Sequence, residues 1–185
     1  AESLEKANRI VLEIMQRHEA RDMIKGKSMV SEEMELNHYL QENGVEVLES
    51  DLGEFIVQLA GEPPSHIVAP AIHKSRQDIA RLFRDKFPDI PYSEDVETLT
   101  RSARDILRHR FFQAKVGLSG VNFAVAETGT LCLVENEGNG RMCTSIPDVH
   151  IAVTGIEKVV EKLSDIPPLM ELLPRSATGQ HITTY

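Results

Sequence analysis

The 185 residues include 29 acidic and 20 basic side chains, for a formal net charge of −9, with 41% hydrophobic residues, 5% aromatics and no tryptophan. This balance fits one folded domain with an aliphatic core and excludes disordered, collagenous and disulfide-scaffold classes; the negative charge also opposes attraction to DNA, RNA or anionic lipid, so no nucleic-acid partner is expected. No apolar run approaches the roughly 18–20 residues of a membrane span, and residues 1–6 have neither the basic nor the apolar stretch of an uncleaved signal peptide, which points to the cytoplasm.

Apolar residues Leu4, Ala7, Ile10, Val11, Ile14 and Met15 recur at three and four residues and predict a helix ending near His18. Asp22-Met23-Ile24-Lys25, stopped by Gly26, reads as a strand. Ser28 or Ser31 then caps a second helix that carries Met34, Leu36, Tyr39 and Leu40 and stops at Asn43-Gly44. A strand is expected at 45–48, a helix from Asp51 to Gly61, a strand at 66–69 after Pro63-Pro64, and a helix over 75–87 that ends before Pro88. Strands and helices alternating across short loops form right-handed crossovers, so the fold class is α/β, with a largely parallel sheet flanked by helices.

Beyond Pro91 a long helix over 93–113 turns Val96, Leu99, Ala103, Ile106, Leu107 and Phe111 inward. Strands at 122–126 and 130–134 flank Glu127-Thr128-Gly129 and predict a β-hairpin in which Gly129 supplies a positive φ. A buried strand follows at 149–153. A last helix at 169–173 stops at Pro174 and leaves 175–185 as a tail.

Four stretches carry residues able to do chemistry. Gly26-Lys27-Ser28, between a strand and a helix, has the residue types of a phosphate-binding loop, but the full motif needs glycine where Arg21 stands. The surviving choice is between an anion site at the helix start, with Lys27 beside Ser28, and a simple capping serine with a solvated lysine. Asn122 and the hairpin tip Glu127-Thr128-Gly129-Thr130 supply an amide, a carboxylate and two hydroxyls; Glu127 can act as nucleophile or base if buried, or is an ordinary turn residue. Asn136-Glu137-Gly138-Asn139-Gly140-Arg141 is a glycine-containing loop whose arginine can grip a carboxylate or phosphate, or simply sit in water. Pro174-Arg175-Ser176-Ala177-Thr178-Gly179-Gln180 is a polar tail.

The seven histidines show no paired ligand spacing, so no metal site is expected, and His150 reads as a satisfied core histidine. Of the two cysteines, Cys132 falls in a strand and Cys143 in a loop, which makes Cys143 the more exposed candidate; both read as free thiols, with one bridge as the alternative.

Taken together, Gly26 to Glu33, Gly120 to Thr130, Asn136 to Arg141 and Leu173 to Gln180 resemble the lactate utilization (LUD) domain family, and within it the N-terminal domain of its iron–sulfur B-type members. The resemblance covers nearly the whole chain, read as a single LUD domain over 1–185. It implies a fold like ribose-5-phosphate isomerase, glucosamine-6-phosphate deaminase and the CoA transferases. It also implies a part in oxidising L-lactate to pyruvate with other lactate-utilization proteins as partners, within an oxidoreductase assembly. Two 4Fe–4S clusters for electron transport are implied in a C-terminal segment that this chain does not contain, so the chain itself is expected to hold no cofactor. By similarity to the CoA transferases Glu127 is the candidate catalytic carboxylate, with Lys27, Ser28, Asn122, Thr128 and Arg141 around a small carboxylate or phosphate ligand. A stand-alone sugar-phosphate or acyl-CoA enzyme and a partner-docking scaffold are the alternatives.

Overall fold

In the computed structural model, which describes residues 1–66 and 69–181, seven strands form two sheets. Strands β1 (Asp22–Lys25), β2 (Glu46–Glu49), β3 (Val116–Gly120) and β6 (Val149–Val153) form one all-parallel sheet in the order β2-β1-β3-β6. A smaller sheet holds the antiparallel pair β4 (Phe123–Val125) and β5 (Thr130–Cys132), with β7 (Val159–Val160) parallel to β4. The α/β class and the hairpin read from the sequence are both present, and Gly129 has φ 69° at the turn.

Each face of the parallel sheet has its own core. Register places Met23, Val47, Val116, Leu118 and Ile151 on one face. They pack with Val11, Leu12 and Met15 of α1 (Leu4–Arg17) and Leu36 and Leu40 of α3 (Leu36–Glu42). Alternate residues turn the other way, so that Ile24 meets Phe55 and Ile56 of α4 (Leu52–Ala60), Ala80 and Phe83 of α5 (Arg76–Lys86), and Leu99, Ala103, Leu107 and Phe111 of α6 (Val96–Gln113). Period-2 side chains in strands and a 3.6-residue stripe in helices produce these two layers.

Local chemistry fixes the helix starts. Ser3 accepts from the Lys6 N–H, Asp51 from Gly53 and Glu54, and Asp95 from Thr98, while Ser75 and Asp78 form a reciprocal capping box. Gln58 of α4 ties the sheet edge: its Nε2 donates to the Val47 carbonyl at 2.7 Å and its Oε1 accepts from the Glu49 N–H at 3.0 Å.

The structure corrects several expectations. The second helix is two, α2 (Met29–Glu33) and α3, because Glu35 adopts φ 50° and breaks the run. Strand β3, absent from the sequence reading, is one of the two inner strands of the parallel sheet. The loop expected at 136–141 gives way at Asn139 to helix α7 (Asn139–Ser145), and the last helix, α8 (Ile166–Thr178), runs through Pro174 instead of stopping there. The strand expected at 66–69 falls on Ile67 and Val68, which lie outside the described residues.

Candidate functional site

In the order β2-β1-β3-β6, the chain passes from β1 to β2 on one side and then crosses back to β3 on the other side of β1, so the carboxyl ends of β1 and β3 border the topological switch point where open α/β sheets bind ligands. The β1 end carries Lys25, Gly26, Lys27 and Ser28, and the β3 end carries Ser119 and Gly120. The Gly26 N–H donates to the Leu118 carbonyl at 2.8 Å, which stitches the two ends together. A Cβ on Gly120 would lie 3.1 Å from the Ser28 Cβ, so glycine there permits the close approach.

Lys25 is fully buried at the end of β1. Its Nζ donates to Glu49 Oε1 at 2.7 Å, at the end of the neighbouring strand, and to Glu32 Oε1 at 2.9 Å on α2. Asn37 Nδ2 donates to the same Glu49 oxygen at 2.6 Å. Burial works against the Lys25 ammonium, but Glu49 and Glu32 outweigh it and hold its pKa above the ordinary lysine value. Beside this cluster, Lys27 Nζ lies 3.5 Å from Glu54 Oε1, and burial followed by the nearby Glu49 charge pushes the Glu54 carboxyl up.

On the opposite face of the sheet a cleft of about 490 Å³ opens between the ends of β3 and β6, the hairpin and α7, lined by Ser119, Gly120, Leu133, Glu135, Arg141 and His150 among others. Ser119 is 2% exposed, and its Oγ lies 2.8 Å from His150 Nε2. Gly117 and Ser119 alternate onto this face with His150, which follows from the pairing of Gly117 with His150. Partial burial lowers the His150 pKa, so the imidazole is neutral at pH 7.

The residues named from the sequence occupy different parts of this end of the molecule. Ser28 is buried as the α2 cap, its Oγ accepting from the Ser31 N–H, and Lys27 pairs with Glu54. Asn122 lies two residues beyond the end of β3 and its Oδ1 accepts from the Val134 N–H at 2.8 Å. Arg141, expected in a loop, stands on α7 and lines the cleft. Glu127 and Thr128 sit exposed at the hairpin turn. The Glu127 Oε2 accepts from the Leu163 N–H at 3.2 Å, and Thr128 Oγ1 lies 2.8 Å from Thr130 Oγ1; neither residue is among those lining the Arg141 cleft.

A family model of the LUD domain matches residues 1–185. The chain belongs to the LUD domain family. Lactate utilization protein B of Bacillus cereus (strain AH820) is 46% identical over 185 residues, and lactate utilization protein B of Bacillus thuringiensis (strain Al Hakam) is equally similar. The uncharacterized electron transport protein YkgF of Escherichia coli (strain K12) is 46% identical over 189 residues. Each match takes in the whole of this LUD chain but 39% of the relative, so the chain spans well under half the length of the curated proteins it matches. No solved structure matches it significantly.

Within the LUD domain the two cysteines are free and stand on separate elements, half-buried Cys132 in β5 and fully buried Cys143 in α7. The sequence reading of Cys143 as the more exposed thiol is therefore reversed. His150 is corrected in the opposite sense: it is an exposed residue of the cleft wall, not a core residue. No group of His, Cys, Asp and Glu able to hold a metal ion occurs among the described residues, and no helix among them is long and apolar enough to cross a membrane. Sequence reasoning missed Lys25, Glu49 and Ser119. Charged residues at strand ends read as solvated, and only the register of β1 with β2 brings Lys25 and Glu49 together.

Proposed function

We propose that this chain is the LUD module of an iron–sulfur lactate-utilization protein that takes part, with other lactate-utilization proteins of the cytoplasm, in oxidising L-lactate to pyruvate. The observation that carries this reading is 46% identity running through the entire chain to lactate utilization protein B, with the E. coli electron transport protein equally similar. The reaction removes two electrons and two protons from lactate, so it needs an electron acceptor. A 4Fe–4S cluster takes four thiolates, and two cysteines on separate elements do not fit one. The two clusters of this reading therefore belong to sequence outside this chain, and the module's task is to bind substrate or partner beside them.

The test is genetic and spectroscopic. Deleting the gene should abolish growth on L-lactate as sole carbon source while growth on pyruvate continues, and a plasmid copy should restore it. The intact purified protein should give the electron paramagnetic resonance signals of reduced 4Fe–4S clusters. Unimpaired growth of the deletion strain on L-lactate would overturn the proposal.

A further inference from the structure

We propose that the cleft beside β3 and β6 binds a small monocarboxylate with a hydroxyl or keto group on the adjacent carbon, Arg141 taking the carboxylate and the Ser119–His150 pair taking that second oxygen. This rests on the functional reading above and adds to it a site, a ligand class and a role for each side chain.

The volume of about 490 Å³ lies within the range of small-ligand sites, roughly 300–1,000 Å³. The arginine that lines it, Arg141, has a side chain 79% exposed and meets Glu135 loosely, Nε to Oε1 at 3.7 Å. Glu135 is itself held through its other oxygen, which accepts from the Gly140 N–H at 2.8 Å. The two terminal nitrogens of the guanidinium therefore have no partner among the described residues, and they present the edge that binds a carboxylate in bidentate fashion.

Charge decides the ligand class. One guanidinium beside one fixed carboxylate leaves the cleft close to neutral, with His150 uncharged. A monoanion gains the arginine pair, whereas for a phosphate dianion the attraction to Arg141 and the repulsion from Glu135 double together while the cost of leaving water rises with the square of the charge. In the same cleft, Ser119 and His150 combine a hydroxyl and a neutral imidazole, a pair that can both donate to and accept from a ligand hydroxyl or keto oxygen. Such a site rejects an analogue that lacks the oxygen, because its polar groups are then left unpaired.

Isothermal titration of the full chain with L-lactate, pyruvate, propionate and inorganic phosphate tests this. Lactate or pyruvate should bind saturably, and propionate and phosphate at least tenfold more weakly. Arg141→Gln should weaken lactate binding at least tenfold with an unchanged melting temperature, since the side chain is exposed. Ser119→Ala should reduce the preference for lactate over propionate, which a purely structural serine would not do. Lactate affinity unchanged in Arg141→Gln, phosphate binding as tight as lactate, or no binding of lactate or pyruvate to the wild-type chain would each overturn the site. Failure here together with a lactate-growth defect in the deletion strain removes the site and leaves the pathway role standing. Specific binding together with normal growth removes the pathway role and leaves the site.

Discussion

Lys25 and Glu49, adjacent in register at the ends of two parallel strands, form a 2.7 Å ion pair with side chains only 0% and 5% exposed. Taking two charges out of water is costly, and the pair is maintained by further contacts from Glu32 and Asn37. Truncating one partner leaves the other charge buried and unpaired, whereas neutralising both removes the penalty along with the attraction.

Lys25→Met is therefore expected to lose about 3–5 kcal/mol of unfolding free energy, the range for breaking a buried pair. The double variant Lys25→Met/Glu49→Gln should lose less than the single variant, since the amide oxygen that replaces the Glu49 carboxylate still accepts from Asn37 without a buried charge. Urea titrations of the wild type and both variants measure this. A double variant less stable than Lys25→Met would mean that Glu49 acts independently of the lysine.

The same pair predicts an alkaline limit. The folded-state pKa of Lys25 is raised, so its contribution is complete below the ordinary lysine value of about 10.4 and is lost as pH rises through the higher folded value. Stability of the wild type, measured by urea unfolding from pH 8 to 11.5, should fall in the upper part of that range. Lys25→Met should lack this component, and parallel curves for the two proteins would contradict the assignment.

The distinction between legible and hidden parts of the fold has physical causes. Helices α1, α4 and α5 are readable because apolar periodicity and capping residues agree at each, and β1 and β2 because short apolar runs end at turn signals. Strand β3 is not, since Val116-Gly117-Leu118-Ser119-Gly120 places two glycines and a serine in a fully buried strand. Gly117 is required there: a Cβ would collide with the Cys143 carbonyl oxygen of α7, a contact between residues 26 positions apart that no local pattern encodes. Without β3 the switch point, the cleft and Ser119 are hidden as well. Arg141 is legible as a candidate anion-binding residue by type alone, its helix concealed by Gly138 and Gly140. Lys25 reads as the polar end of a strand, because burial of a charged residue depends on partners supplied by β2 and α2.

The two thiols should differ in reactivity. Cys143 is fully buried, and burial, only partly offset by a contact with Ser50 Oγ at 3.5 Å, pushes its pKa up to about 11. Its thiolate is scarce at pH 8 and shielded from reagents. Titration of the native protein with Ellman's reagent should show Cys132 reacting first and Cys143 only on the timescale of unfolding, with both reacting at once in denaturant. Cys143→Ser should remove the slow phase, and a fast phase lost in that variant would contradict the burial seen here.

His150 provides the pH test closest to the cleft. Partial burial disfavours its imidazolium, so its folded pKa lies below the unfolded value of about 6.5. With a depressed folded pKa, the contribution to stability is present above about 6.5 and is lost as pH falls through the folded value. A histidine left fully in water would titrate near 6.5 and contribute nothing to this slope. Proton NMR of the His150 ring, assigned by its loss in His150→Gln, should give a midpoint below 6.5, and the same variant should flatten the acid side of the stability profile. A midpoint at or above 6.5 would place the imidazolium in a favourable field and remove the neutral base from the Ser119 pair.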